Sequence, residues 1–204
     1  MTAPDPSTAL VLLDYQIALC QSGPHTRAPA LVEQVAQRGV LARAATVLAA
    51  ARRAGRFILH VRLAFDPSFE LRTNRTARFD TYPADAAMRR GSAEAEIVAQ
   101  VAPAPGEPVL DKGCVDPFIG SPLAHVLHAR GIRRVLFGGV ATNLVVESAA
   151  RHAADIGLQP VVVEDLCASF DPALHDFAIA RTLPLFAQVV GSAEILSELA
   201  SKQG

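Results

Sequence analysis

Arg134–Val163 reads RVLFGGVATNLVVESAARHAADIGLQPVVV. RVLF (134–137) is a short run of strand formers that ends on two glycines. Asn143–Ile156 carries small and apolar residues at helical spacing and stops at Gly157. PVVV (160–163) is a second apolar run. Strand, helix and strand within about thirty residues make one unit of a parallel sheet, because parallel neighbours need a crossover long enough to bring the chain back.

The same alternation extends in both directions. Downstream, Pro172–Leu183 has a helical pattern, Ala187–Val190 (AQVV) a strand pattern, and Ser192 is placed to cap a final helix with Glu194 in its first turn. Upstream, Ser121–Arg130 is helical and ends at Gly131, and Val109–Lys112 is a short strand. Thr8–Leu13 (TALVLL) is a strand apolar on both faces, Ala30–Ala54 one long helix stopped by Gly55, and Phe57–Leu63 (FILHVRL) another strand. Ala64–Gly91 lacks periodicity, and a loop of that length is usually functional or mobile. Ser92 is placed to cap a short helix bearing Glu94 and Glu96, and Ala102–Pro108 reads as a linker. The expected fold is α/β: a single domain over residues 1–204, Rossmann-like, with a mostly parallel six-stranded sheet and helices on both faces.

Half of the 204 residues are hydrophobic, enough for one large aliphatic core, and the net charge is only -1. No basic excess points to nucleic acid, and no stretch reaches membrane-spanning length, so a small molecule is the expected partner. Met1–Ser7 lacks a basic leader region, and the three cysteines (Cys20, Cys114, Cys167) show no CxxC spacing, which suits a cytoplasmic protein with free thiols. His125 and His128 sit three apart on a helix with no third ligand in register, so neither metal nor cofactor is expected.

Ligands of open parallel sheets bind at the carboxyl ends of the strands. Those ends carry Asp14 with Tyr15 and Gln16, then Asp111 and Lys112, then the Gly138–Asn143 turn, then Glu164 and Asp165. Asp14 and Lys112 form a candidate proton-transfer pair; an ordinary structural ion pair is the alternative. The Gly138–Asn143 turn opens a helix whose free N–H groups suit an oxyanion, or it is simply a tight turn, and it matches no nucleotide-binding glycine loop. Arg72, Arg75 and Arg78 recur every third residue; a solvated face is the favoured reading, with Arg75 the best candidate for clamping a substrate carboxylate.

Three segments in order carry a resemblance. DYQ (14–16), DKGCVDPFIGSPL (111–123) and GGVATNLVVESAARHAADIG followed by VVVEDLCASF resemble the isochorismatase-like cysteine hydrolases from Thr8 to about Leu196. The resemblance implies catalytic roles for Asp14 and Lys112. It implies a cis peptide at Val140–Ala141 and an oxyanion or binding wall of Val140, Ala141, Thr142 and residue 145. Gln16, Arg75 and Phe118 become candidate substrate contacts. The zinc-dependent nicotinamidase branch has D-x-H-x-x-x-H after the second strand; HVRLAFD stands here instead. Homo-oligomers, dimers or tetramers, are common in the family.

One departure bears on mechanism. The family's nucleophilic cysteine corresponds to Val145, which has no nucleophilic atom. Three readings follow. The first is non-covalent acid/base hydrolysis of a vinyl ether or related C–O or C–N bond, as in family members that cleave isochorismate without the cysteine. The second is amide or ureide hydrolysis by Asp14-activated water or by Cys114. The third is a non-catalytic small-molecule-binding protein.

Overall fold

The computed structural model describes residues 7–201. The expectation about Met1–Ser7 falls, Ser7 apart, outside them, as does the side chain of Arg78. The six strands are β1 (Thr8–Leu13), β2 (Phe57–Leu63), β3 (Val109–Lys112), β4 (Arg134–Val140), β5 (Gln159–Ala168) and β6 (Gln188–Val190). They form one sheet in the order β3-β2-β1-β4-β5-β6, and every neighbouring pair is parallel. The chain winds outward one way from β1 through β2 and β3, and the other way from β4. A crevice therefore opens at the carboxyl ends of β1 and β4.

Alternation along β1 divides the core. Leu10 and Leu12 pack on one face beneath α2 (Pro29–Gln37), α3 (Val40–Arg53) and α8 (Ser192–Ser201). Ala9, Val11 and Leu13 pack on the other face beneath α5 (Leu123–Ala129) and α6 (Glu147–Asp155). A third, smaller cluster joins Ala18 and Leu63 to Phe65, Phe69, Phe79 and Met88 of the 64–91 segment. That segment is mostly turns around one short helix, α4 (Ala77–Asp80).

Several elements differ from their sequence pattern. The helix expected over Ala30–Ala54 is two helices, because Gly39 adopts a left-handed φ of 62° between them. β5 runs on to Ala168, so Glu164 and Asp165 lie inside it, at a register shift opposite Phe137–Gly139. Asp165 faces α8 and accepts hydrogen bonds from the Ser192 N–H (2.8 Å) and Oγ (2.6 Å), so its carboxylate, not the Ser192 hydroxyl, serves that helix start. Ser92 precedes only a 3-10 turn over Ala93–Ala95 and makes no side-chain cap bond.

Gly139 pairs with Leu13 across β1 and β4, and a Cβ there would lie 2.4 Å from the Leu13 carbonyl oxygen and 2.5 Å from its Cβ. Overpacking of this kind costs about 1–3 kcal/mol. Gly139→Ala is expected to lower the urea midpoint accordingly, with an unchanged denaturant slope.

Candidate active site

Asp14 follows the last residue of β1 with a left-handed φ of 56°, a region aspartate enters more readily than most residues. Its N–H bonds to the Val61 carbonyl at 2.9 Å, which anchors the turn to β2. Lys112 is the last residue of β3, on the far side of β2. The long lysine stem spans that gap. Its Nζ lies 2.8 Å from Asp14 Oδ2 and donates to the Cys114 carbonyl at 2.9 Å.

The pair is buried: Asp14 is 5% exposed and Lys112 2%. Asp14 Oδ1 has no hydrogen-bond partner among the described residues. Burial pushes the Asp14 carboxyl above the usual carboxylate range, and Lys112 opposes this only in part. A proton on this group therefore belongs on Oδ1, since Oδ2 already accepts from the ammonium.

The third side of the site comes from the end of β4. Val140–Ala141 is a cis peptide, as the resemblance implies. The next five residues, Thr142–Val146, form a π turn before α6 begins. Val140, Ala141, Leu144 and Val145 line a cavity together with Asp14 and Lys112. Leu19 and Leu31 enter from α1 (Ile17–Cys20) and α2, and Phe79 and Tyr82 from the 64–91 segment. Phe170, just past β5, and Leu63 and Val115 complete the described wall.

Other candidates have different duties. Gln16 is fully buried: its Nε2 donates to the Leu63 (2.8 Å) and Ala95 (2.9 Å) carbonyls, and its Oε1 accepts from the Leu63 N–H (2.9 Å). Its amide is spent on backbone, and Gln16 is not among the described lining residues. Phe118 is turned away onto His152, with ring centroids 4.5 Å apart, and Arg75 is exposed; neither belongs to the described cavity lining. Arg72 departs from the solvated reading, since it is buried and bonds the Phe79 carbonyl and Asp80, each at 3.1 Å.

No cysteine is among the described lining residues. The Cys114 thiol points to the Asp116 (3.4 Å) and Ile119 (3.7 Å) carbonyls. Burial raises the Cys20 thiol, with the Asp14 charge adding to it, and pushes the Cys167 thiol up to about 12. Neither is a thiolate near neutral pH.

Sequence reasoning missed two features. Thr142 is fully buried with its Oγ1 2.7 Å from His175 Nδ1, and His175 Nε2 lies 3.0 Å from Glu164, which Arg38 also pairs. These bonds run from the turn after β4, where Thr142 is not among the described lining residues, through α7 (Pro172–Phe177) to β5 and the α2–α3 break. The aromatic lid was missed too, although its signal was present. The chain has nine phenylalanines and two tyrosines, and Phe65, Phe69, Phe79 and Tyr82 all fall in the aperiodic loop.

Comparison with known proteins agrees with this geometry. The isochorismatase domain model matches residues 8–194. The ureidoacrylate amidohydrolase RutB of Variovorax paradoxus (strain S110) is 30% identical over 170 residues, covering 78% of this chain and 67% of that protein. An isochorismatase family protein from Desulfovibrio vulgaris is similar with a TM-score of 0.81 at 25% identity, covering 95% of this chain and 98% of that one. A cysteine hydrolase from Pseudomonas syringae pv. phaseolicola shares the fold, with a TM-score of 0.82 at 20% identity over 99% of this chain and 97% of that one. With the family model matched along nearly its whole described length, the chain belongs to the isochorismatase family of hydrolases.

Proposed function

We propose that this protein hydrolyses a C–O or C–N bond of a small molecule by non-covalent acid/base catalysis, with a vinyl ether as the best-suited group. Asp14 is the acid and Lys112 its electrostatic partner. The observation that carries the reading is the buried Asp14 carboxyl, raised in pKa and unpartnered at Oδ1, on a cavity whose 145 position is valine.

The steps follow from that arrangement. The Oδ1 proton passes to the terminal alkene carbon of the vinyl ether. Lys112 stabilises the carboxylate left behind, at 2.8 Å. Water adds to the oxygen-bearing carbon and returns its surplus proton to Asp14. The hemiketal then expels the alcohol and leaves a carbonyl compound. No covalent enzyme intermediate is needed, which accommodates Val145.

A second reading, amide or ureide hydrolysis, is favoured by the similarity to the Variovorax paradoxus ureidoacrylate amidohydrolase. Water activated by Asp14, or the Cys114 thiol, would then attack the carbonyl. Iodoacetamide treatment separates the thiol route from the others. Turnover of a vinyl ether and amide panel is expected to survive it, because Cys20 and Cys167 are buried with raised pKa values and the Cys114 thiol faces backbone carbonyls. Inactivation in step with alkylation of Cys114 would sink the acid/base reading.

A further inference from the structure

Apart from Asp14 and Lys112, the described cavity wall is aliphatic or aromatic. Two of the three Lys112 N–H groups are already committed, to Asp14 and to the Cys114 carbonyl. Two arginines, Arg27 and Arg72, make bonds that hold the lid. Arg27 pairs with Asp85 (3.1 Å) and Glu94 (3.3 Å) and lies 5.5 Å from the Tyr82 ring centroid. Arg72 Nη1 donates to the Phe79 carbonyl and to Asp80, and Arg72 is not among the described lining residues. A substrate carboxylate placed beside Leu19, Leu31, Phe79 or Phe170 would lose its hydration with nothing among these groups to replace it, a large cost.

The aromatic side of the cavity is preformed. Phe79 and Tyr82 meet edge to face with centroids 5.2 Å apart, and Tyr82 meets Phe65 the same way at 5.7 Å. Rings fixed in this manner give contact area without a large ordering cost on binding. The enclosed space between these walls is small, so the group it accepts is compact.

We propose that the substrate carries a compact, uncharged hydrocarbon group, of cyclohexyl or phenyl size, that packs against Phe79, Tyr82 and Phe170 while its hydrolysable bond meets Asp14. This rests on the hydrolytic reading for the reacting bond, but the recognition of the hydrocarbon group is measured without turnover.

The test is a ligand-observed NMR titration of the full chain with three probes that cannot be hydrolysed: cyclohexyl methyl ketone, acetone and 4-acetylcyclohexanecarboxylate, whose charge lies at the far side of the ring. The cyclohexyl ketone is expected to bind at least about tenfold more tightly than acetone, from burial of its ring. It is expected to bind at least about tenfold more tightly than the carboxylate, from the desolvation cost of the latter. Phe170→Ala, at a half-buried position, and Phe79→Ala should each weaken it about threefold or more, the latter with a lowered melting temperature because Phe79 is buried. Phe177→Ala, on the outer face of α7 and 62% exposed, should leave it unchanged. If Phe79→Ala loosens the lid, Phe170→Ala decides alone. A carboxylate bound as tightly as the ketone, or a ketone bound no better than acetone, overturns the proposal. Ketone binding of the expected pattern, with no hydrolysis of 1-cyclohexyl-1-methoxyethene, supports it and removes the hydrolytic reading instead.

Discussion

Asp14→Asn is expected to lower kcat/KM by about 10²–10⁴-fold on the vinyl ether that the wild type turns over best, the usual weight of a positioned general acid. Asparagine keeps the shape and still offers Lys112 an acceptor, so the melting temperature should fall far less than activity does. The wild-type pH profile supplies the sign. Burial raises the Asp14 pKa, and the protonated form is the active one, so kcat/KM is flat below that pKa and falls tenfold per unit above it. The falling limb should lie above the ordinary carboxylate value of 3.8. The same shift affects stability. The folded state holds a proton the unfolded chain has released, so this group's contribution weakens as pH rises from the unfolded to the folded pKa. A rate that instead rises with pH through this range would show Asp14 acting as a base and favour the water-activating amide reading.

Lys112→Met carries the second large effect, a displaced pH profile. The ammonium 2.8 Å from Oδ2 is what opposes burial at Asp14. With it gone, the falling limb of kcat/KM should move to higher pH, because an adjacent opposite charge favours the carboxylate. Maximal turnover should fall as well, since the carboxylate formed during reaction loses its stabilising charge. Methionine keeps most of the buried stem volume, and Asp14 can remain neutral, so the fold should survive. A limb that stays in place while activity is lost would reduce Lys112 to a substrate-binding group.

Much of this was legible in the chain because two periodicities suffice for an all-parallel sheet. TALVLL reads as a strand buried on both faces and PVVV as another strand, and Asp14 and Lys112 stand at strand ends by counting alone. What failed was decided by tertiary contact. The apolar pattern of Ala30–Ala54 continues through Gly39, and only the left-handed φ there shows that the chain turns. Glu164 and Asp165 look terminal because charge usually ends a buried strand, yet a register shift lets β5 continue while they bind Arg38, His175 and Ser192. Arg72 looks solvated until the carbonyl it caps is seen. The partner of Thr142, His175, lies on α7 beyond β5, and no spacing rule connects them.

The amide of Gln16 has a mechanical corollary. Leu63 and Ala95, the backbone positions it grips, are the two feet of the segment that carries Phe79 and Tyr82, and its own N–H bonds to the Asp14 carbonyl at 2.7 Å. The flap is thus clasped at its base beside the reacting carboxyl, and entry to the cavity must come from flexing its crown rather than from lifting it whole. Amide hydrogens near residue 63 should accordingly exchange with solvent far more slowly than those around 74–80, and a visitor would pass without disturbing the group it has come to meet.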